Sequence, residues 1–176
     1  EALTTDTHRN AMIATDVLAL LAEGRFPLIL SDRKEQLQLL STALHTRGLP
    51  QGVHEFVFVG GMGKKVRAKA MNDIRAALEK GERPFILATG SLIGEGFDLP
   101  ELDTLVLAMP VSFKGKVIQY AGRIHRTVEG KIEVRIHDYL DRAGLTYSMF
   151  KKRLKAYKSM GYDVRMPEDE GAPALD

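Results

Sequence analysis

The sequence predicts an α/β domain whose sheet is mostly parallel and carries helices on both faces. Short segments made almost entirely of apolar residues alternate along the chain with longer segments whose apolar residues recur every three or four positions. Continuously apolar strands are typical of sheets buried on both faces, and alternating strands and helices are typical of parallel sheets. At 176 residues, with 44% hydrophobic and 27% charged residues, the chain is long enough for one domain with a substantial core.

Each element has a local signal in the sequence. The buried strands are rich in Leu, Ile, Val and Phe, whereas the last strand alternates apolar with polar residues, which predicts a half-exposed edge strand. Gly24 and Gly48 predict the ends of the first two helices. Strands are predicted at 26–30, 55–59, 85–88, 104–108 and 131–138, and helices at 10–23, from the cap at 31–32 to 47, at 66–80, at 114–126 and around 150–157.

We expect four segments along the chain. They are an irregular polar segment (1–9), a main domain (10–142), a basic helical extension (143–166) and an acidic tail (167–176). The extension is predicted to bury Phe150, Leu154 and Tyr157 and to expose its basic residues. Because the chain begins at Glu1 and shows no signal-peptide pattern, we expect a cytoplasmic piece of a longer polypeptide.

The composition disfavours several classes of function. The net charge of +2 provides no global field for nucleic acid or a membrane surface, so any basic patch must be local. The absence of cysteine excludes disulfide bridges and thiolate metal sites. No apolar run approaches the roughly 18 residues of a membrane span. We therefore expect no membrane partner. No histidine has metal-ligand spacing to another histidine or carboxylate, so no resident metal is expected either.

One predicted helix has two unlike faces. An amide, a glycine and two guanidiniums recur at i, i+3, i+4 and i+7 on one side, and three apolar residues share the opposite side. A guanidinium can donate two parallel hydrogen bonds to phosphate oxygens, and a glycine lets a ligand approach the backbone closely. The polar side therefore suits a polyphosphate. A surface helix with two solvated arginines fits the spacing equally well. The polar side comprises Gln119, Gly122, Arg123 and Arg126, and the apolar side Val117, Ala121 and Ile124.

A glycine-rich loop, residues 60–65, follows the second predicted strand, at the sheet edge where parallel α/β folds bind ligands. It does not match the nucleotide-binding pattern G-x-x-x-x-G-K-[ST], because Phe58 occupies the first glycine position and Lys65 the hydroxyl position. Its backbone N–H groups and Lys64 suit a nucleic-acid phosphate, although a plain flexible turn fits as well.

A second loop, residues 89–100, follows the third predicted strand and begins with a hydroxyl, Thr89, and a glycine, Gly90. Free backbone N–H groups and a hydroxyl at such a position can hold a phosphate. Asp98 cannot, but it suits a sugar hydroxyl or an arginine. The alternative is a simple connecting loop in which Gly94 and Gly96 form turns.

The order of these segments resembles the C-terminal, recombinase-like motor domain of superfamily-two helicases and translocases over roughly residues 10–140. The segment 86–100 resembles motif V, and the segment 119–126 has the pattern Q-x-x-G-R-x-x-R of motif VI. The segment 28–33 resembles the less specific motif IV. Two specific motifs in order and at a similar separation indicate the family more strongly than either motif alone.

The resemblance implies a role for each matching residue. Arg126 would be an arginine finger on the γ-phosphate of ATP, with Arg123 beside it at the phosphates. Gln119 would hold either the nucleotide or the loops of the partner domain. Gly96 and Asp98 would face the nucleotide side of the cleft, with Asp98 toward the ribose. The residues implied to contact the backbone of DNA or RNA are Ser31, Gly60, Gly61, Lys64, Thr89 and Gly90.

The resemblance also implies what this chain lacks. It contains neither G-x-x-x-x-G-K-[ST] nor an acidic metal-binding run, so the groups that bind Mg²⁺ and activate water are expected on an N-terminal motor lobe of the same polypeptide. The chain would then be half of an ATP-dependent helicase or translocase and inactive alone. The alternative is a non-catalytic nucleotide- or nucleic-acid-binding module derived from such a lobe. His125 and Glu95 favour the DNA-translocase and restriction-motor branches over the DEAD-box branch.

A nucleotide-cofactor α/β enzyme is a third possibility, and the sequence argues against it. No G-x-G-x-x-G pattern follows the first strand, and no acidic residue lies about 20 positions beyond such a turn to hold a ribose. We also find no Ser/His/Asp or Cys/His arrangement with a local signature, and no pair of carboxylates placed for acid–base chemistry.

Overall fold

The computed structural model describes residues 2–93, 97–111, 114–141 and 144–166. Its centre is a five-stranded sheet in the order β2-β3-β1-β4-β5, and every neighbouring pair is parallel. The predicted α/β fold with a parallel sheet is therefore confirmed. The strands are β1 (Pro27–Leu30), β2 (Val53–Phe58), β3 (Arg83–Ala88), β4 (Thr104–Leu107) and β5 (Arg135–Asp138).

Helices cover both faces of this sheet. The packing of buried side chains places α2 and α3 against one face and α4, α6 and α7 against the other. The short α1 precedes α2, and the single turn α5 follows β3 directly. The helices are α1 (Ala2–Thr5), α2 (Thr7–Ala22), α3 (Lys34–Arg47), α4 (Lys64–Glu79), α5 (Gly90–Ile93), α6 (Lys114–Ile124) and α7 (Gly144–Ser159).

The core lies in two layers because the central strands are apolar on both sides. In β1, Leu28 and Leu30 point into the layer beneath α4, α6 and α7, and Ile29 points into the layer beneath α2 and α3. These three side chains are between 0% and 3% exposed. Full burial of one such side chain contributes about 1.5–3 kcal/mol relative to its exposed state. Continuously apolar segments therefore specify the centre of the sheet.

The edge strand β5 is shorter than the predicted 131–138. It pairs with β4 from Thr104 opposite Arg135 to Leu107 opposite Asp138. Because β4 has only these four residues, the alternating residues before Arg135 have no strand to pair with. The four residues of β5 are half-buried, as expected for an edge strand.

The expectation that residues 1–9 are irregular is wrong for the described residues 2–9, which are helical apart from Asp6. Asp6 caps α2, since its Oδ1 accepts a hydrogen bond from Arg9 N at 2.9 Å. Asn10 Nδ2 donates to the carbonyl of Thr4 at 2.8 Å and ties the two helices together. Arg9 and Asn10 are buried through hydrogen bonds, which hydropathy alone does not predict.

The C-terminal part of the chain contains α7, which forms within the predicted helical extension, while the predicted acidic tail 167–176 lies outside the described residues. Phe150 and Tyr157 are buried on α7, as predicted, but Leu154 is only half-buried and the basic residue Arg153 is buried instead. Across the parts of the chain that the structure describes, no helix combines the length and apolar character needed to cross a membrane.

Candidate functional site

The carboxyl ends of the strands carry most of the predicted site. We use the name carboxyl-edge loops for residues 60–64 and 89–92, which follow β2 and β3. Gly60 N donates to Thr89 Oγ1 at 3.0 Å, and Thr89 N donates to the carbonyl of Phe58 at 2.9 Å. Lys34, the first residue of α3, donates from Nζ to the carbonyl of Gly60 at 2.6 Å. The loops after three adjacent strands are thus bonded to one another.

Gly90 occupies a position with no room for a side chain. A Cβ atom there would lie 2.1 Å from Tyr120 Oη, 2.9 Å from Tyr120 Cζ and 3.0 Å from Asp32 Oδ1. Tyr120 belongs to α6 and is only 4% exposed, so it cannot simply move aside. Its burial, and then the charge of Asp32, raise the pKa of the Tyr120 hydroxyl. The contact packs α6 directly against the loop after β3.

The loop after β2 presents backbone and basic side chains to solvent. Gly61 is exposed with φ +92°, a conformation that favours glycine. Lys64, the first residue of α4, is exposed, and Gly63 caps this helix without a side-chain hydrogen bond. Arg67 Nη2 donates to the carbonyl of Leu92 at 3.2 Å and joins α4 to the second loop. Backbone amides and cations at a helix start suit an anion.

Ser31 is one of three predicted nucleic-acid contacts that the structure buries, together with Thr89 and Gly90. It is 2% exposed, its hydroxyl donates to Gln36 Oε1 at 2.7 Å, and its Oγ accepts from Arg33 N at 3.1 Å. Its backbone N donates to the carbonyl of Ala88. Since these groups are used inside the protein, Ser31 shapes the loop after β1, and a nucleic acid would meet that loop through its neighbours.

Helix α6 has the predicted two faces but is shorter than predicted. Val117, Ala121 and Ile124 are 0% exposed, whereas Gln119 and Gly122 are exposed. The helix ends at Ile124 instead of residue 126. Thus Arg126 projects from the segment after the helix, not from its face. The residues that follow explain this end, since Thr127 and Val128 are β-branched and Gly130 has φ +83°.

Both predicted phosphate-binding arginines contact the segment after β3. Arg123 Nη1 donates to the carbonyl of Phe97 at 3.3 Å, and Arg126 Nη1 lies 3.0 Å from Asp98 Oδ1. Phe97 is 1% exposed and packs edge-on against Phe58 with ring centroids 5.4 Å apart, which anchors this segment. The structure thus brings Asp98 and the two arginines together. We call Gln119, Arg123, Arg126 and Asp98 the arginine face. Gly96 lies outside the described residues.

Two residues whose structural contacts the sequence did not predict hold the end of α6. Lys131 Nζ donates to the carbonyl of Arg126 at 2.5 Å and to that of Pro100 at 2.9 Å, and its partial burial lowers its pKa. His125 Nε2 lies 2.5 Å from Tyr162 Oη, and the two rings stack. Burial, and then the charge of Lys131, lower the pKa of His125. The sequence does not reveal these contacts, because the partners of Lys131 are backbone carbonyls and Tyr162 is 37 positions from His125.

The described residues offer no metal centre of their own. Within the ranges given above, no group of three or more His, Asp or Glu side chains could hold a metal ion. A cavity of about 540 Å³ beside β2 is lined by residues including His45, His54 and Glu55. It lies away from the carboxyl-edge loops and the arginine face, and His45 and His54 each pair with a glutamate there.

The parallel sheet covered on both faces, with an arginine-bearing helix after β4, has a recombinase-like architecture. Solved structures share this fold at low sequence identity. The C-terminal part of the Fun30 ATPase domain aligns with a TM-score of 0.65 at 16% identity, covering 83% of this chain and 46% of that one. The C-terminal domain of the DEAD-box protein Dbp5 aligns with a TM-score of 0.59 at 19% identity, covering 84% and 78%.

The chain belongs to the helicase conserved C-terminal domain family, whose sequence profile matches residues 10–128. The resemblance to helicase C-terminal domains that the sequence predicted is therefore confirmed. "Probable helicase D10" of Escherichia phage T5 is 30% identical over 152 residues, which cover 86% of this chain and 32% of that protein. Protein 108L of Invertebrate iridescent virus 3 is 37% identical over 84 residues, or 47% of this chain and 76% of that protein. This chain thus spans about a third of the phage protein.

Proposed function

We propose that this domain is the second lobe of an ATP-dependent nucleic-acid translocase, and that Arg123 and Arg126 complete an ATP site shared with an N-terminal lobe. The observation that carries the proposal is the joint placement of both arginines against Phe97 and Asp98. The guanidiniums come from different backbone segments, α6 and the residues after it, yet they meet one loop. Convergent arginines beside a loop at a strand's carboxyl end suit a polyphosphate.

The arginine face fits the phosphates of a nucleotide. Arg126 and Asp98 have side chains 53% and 49% exposed, so this ion pair lies open to solvent. An exposed pair of this kind is worth about 0–1 kcal/mol, and phosphate oxygens can replace the carboxylate at little cost. Asp98 therefore keeps the Arg126 fork oriented between turnovers. Beside it, the backbone at Gly122 is open, because a Cβ there would meet no atom within 4 Å.

ATP bound between the lobes supplies the phosphoanhydride bond whose hydrolysis drives the cycle. Arg126 and Arg123 donate hydrogen bonds to the developing charge on the phosphate oxygens, which is the arginine-finger role. Because the described residues contain no candidate metal cluster, we place the Mg²⁺ ligands on the N-terminal lobe. Release of the arginines after hydrolysis loosens the contact between lobes and lets this lobe move along the strand.

The carboxyl-edge loops supply the contacts to the nucleic acid. Lys34 and Lys64 bring positive charge to the edge formed by Gly60, Thr89 and their neighbours. Backbone amides and lysines contact phosphates without identifying bases, so we expect little sequence preference. A solved structure of similar fold, S. cerevisiae Dbp5, is bound to RNA and ADP BeF3. The bonded loops of the present chain can hold a phosphate backbone of either DNA or RNA.

Replacing Arg126 by Ala in the full-length polypeptide tests the finger assignment. We expect nucleic-acid-stimulated ATP turnover at saturating ATP to fall by about 10³-fold or more, the range attributed to arginine fingers. Measured affinity for single-stranded nucleic acid should change little, since the loops that contact it remain intact.

Arg165→Ala is the matched control, because Arg165 is also an exposed arginine paired with an aspartate, Asp163, but it lies after α7. It should leave turnover unchanged. Equal turnover in the wild type and the Arg126 variant would contradict the finger role. Absence of any nucleic-acid-stimulated turnover in the wild-type polypeptide would instead favour a non-catalytic binding module.

A further inference from the structure

Three arginines are buried among the described residues, and each is paired with acidic side chains. Arg9, Arg25 and Arg153 are 4%, 8% and 1% exposed. Burying a guanidinium is unfavourable unless its donors are satisfied by an ion pair and further hydrogen bonds. Arg25 lies at the amino end of β4, where it donates to Thr104 Oγ1 and pairs with Glu133. Arg9 and Arg153 lie at the opposite end of the sheet, where they contact the segment between β4 and α6.

Arg153 of α7 joins the end of β5 to the connection between β4 and α6. Its Nε and Nη2 donate to the two carboxylate oxygens of Asp138 at 2.6 and 3.0 Å, and its Nη1 donates to the carbonyl of Val111 at 3.1 Å. Asp138 also accepts a hydrogen bond from Tyr157 Oη at 2.8 Å. The guanidinium lies 5.7 Å from the centroid of the Phe150 ring. One buried side chain therefore connects α7, β5 and the chain leading into α6.

Arg9 of α2 makes a corresponding set of contacts from the other face of the sheet. Its Nε and Nη2 donate to the carboxylate of Asp141 at 3.1 and 3.4 Å, and its Nη1 donates to the carbonyl of Ala108. Gln36 Nε2 donates to the same carbonyl at 3.2 Å. Tyr139 lies under the guanidinium, with its ring centroid 5.7 Å away. The start of the β4–α6 connection is thus held by α2 and α3.

The two ion pairs lie entirely outside residues 10–128, the part of the chain that the family profile matches. The carbonyls that they hold, those of Ala108 and Val111, lie inside it and only three positions apart. Nothing in the family match therefore assigns a role to the two pairs. Their shared target is the segment that determines where α6 begins.

We propose that Arg9 and Arg153 are positioning residues for α6, holding the β4–α6 connection from opposite faces of the sheet. Tyr120 of α6 packs on Gly90, so the placement of α6 also bears on the carboxyl-edge loops. The expected effect on ATP hydrolysis rests on the proposed function, because it depends on how Arg123 and Arg126 are oriented toward the phosphates. The positioning itself does not depend on that function.

The first test measures amide hydrogen exchange in the full-length polypeptide by mass spectrometry. The double variant Arg153→Met/Asp138→Asn removes both charges together, keeps an acceptor for Tyr157 and leaves no unpaired buried ion. We expect exchange in α6 to accelerate about tenfold relative to α4, the factor for losing one charge-assisted hydrogen bond. Arg9→Met/Asp141→Asn should have the same effect. Uniform acceleration of all helices, or none in α6, would overturn the proposal.

Two further variants separate positioning from general stabilisation. Arg25→Met removes a buried, paired arginine at the other end of β4, so it should lower the thermal midpoint without a selective effect on α6. Arg153→Lys retains a charge for Asp138 but cannot also reach Val111 with a fork. Compared with the double variant, Arg153→Lys should restore the thermal midpoint more fully than it restores the protection of α6 amides from hydrogen exchange. If lysine restored both equally, the contact with Val111 would have no positioning role.

The second test is kinetic and uses the same polypeptide. In the two double variants, misorientation of Arg123 and Arg126 should lower kcat for nucleic-acid-stimulated ATP hydrolysis. The affinity for single-stranded nucleic acid should remain within about twofold of the wild-type value. If exchange accelerates selectively in α6 but kcat is unchanged, the positioning role is supported and its proposed effect on catalysis is refuted. If Arg126→Ala is also without effect, the proposed function fails while the exchange result still decides the structural proposal.

Discussion

The carboxyl-edge loops and the arginine face lie on the same lobe but are held in opposite ways. In the loops, Thr89 is 5% exposed, Gly90 has no space for a Cβ atom, and hydrogen bonds join neighbouring strand ends. On the arginine face, the charged groups of Arg126 and Asp98 are about half exposed and contact each other across a surface ion pair. Packing thus fixes the first region, and a weak electrostatic contact orients the second.

This difference matches what each region is proposed to do. A surface that contacts successive phosphates must keep a constant spacing, which close packing provides. An arginine that senses a phosphate must exchange one acidic partner for another, which a strongly held buried pair would oppose. Arg9 and Arg153, two of the three buried arginines, contact the segment before α6 and are not part of the arginine face. The following predictions test whether the two regions really differ in this way.

The largest effect is expected from Gly90→Ala. The added methyl group would overlap Tyr120 Oη, which lies 2.1 Å from the Cβ position. We expect the free energy of unfolding to fall by about 2 kcal/mol, as for other overpacked sites. Denaturant unfolding followed by circular dichroism measures this. Adding Tyr120→Phe removes the nearest atom and should restore part of the loss.

Gly122→Ala on α6 is the matched control, since a Cβ there meets nothing within 4 Å. It should be neutral or stabilise the protein by up to about 1 kcal/mol, because alanine favours helix more than glycine does. If Gly90→Ala were equally harmless, the loops would not be closely packed and the contrast between the regions would fail.

A smaller effect is expected from Lys64→Ala in the full-length polypeptide. Losing one phosphate contact of about 1 kcal/mol should weaken binding of single-stranded nucleic acid about fivefold, whatever its sequence. The slope of log affinity against log salt should fall by about 0.7, the value for one phosphate on a single strand. Fluorescence anisotropy at several salt concentrations measures both quantities.

Lys80→Ala supplies the comparison, because Lys80 is the cap at the other end of the same helix, α4. It should change neither the affinity nor the salt slope. Equal effects from both lysines would indicate a general charge effect. They would contradict a specific phosphate contact at the carboxyl-edge loops.

The sequence predicted the sheet because its central strands carry apolar residues on both faces. Leu28, Ile29 and their counterparts in β3 and β4 are buried on both faces, so apolar continuity identifies them directly. The order of strands in the sheet was not predicted, because it depends on which strands pair and not on any one segment. The glycine and hydroxyl at Gly90 and Thr89 were found because each follows a strand.

What the sequence did not reveal is mostly buried polarity. Arg153 follows Phe150 at i+3 and so shares the apolar face of α7, but its charge led us to count it with the exposed lysines. Its partner Asp138 is 15 positions away and is brought close only by the packing of α7 on β5. The helical structure of residues 2–9 was not predicted for a related reason, since Arg9 and Asn10 are buried through hydrogen bonds to Ala108 and Thr4. Hydropathy cannot distinguish a satisfied buried polar group from an exposed one.

The smallest effect is expected from Asp98→Asn on the arginine face. The ion pair with Arg126 joins side chains that are 49% and 53% exposed, so water and salt screen it. We expect the free energy of unfolding to fall by about 0.5 kcal/mol or less at low salt. The difference from wild type should vanish near 1 M salt, where the screening length is about 3 Å. Denaturant titrations of both proteins at low and high salt measure the change.

Asp163→Asn provides the control, because the Arg165–Asp163 pair is also exposed, at 90% and 84%, and lies far along the chain from the site. Both substitutions should have similarly small, salt-sensitive effects on stability. A loss of about 2 kcal/mol or more from Asp98→Asn, undiminished by salt, would resemble the breaking of a buried pair. Arg126 would then be held as firmly as the carboxyl-edge loops, and exchange of Asp98 for a phosphate would be too costly for a repeated cycle.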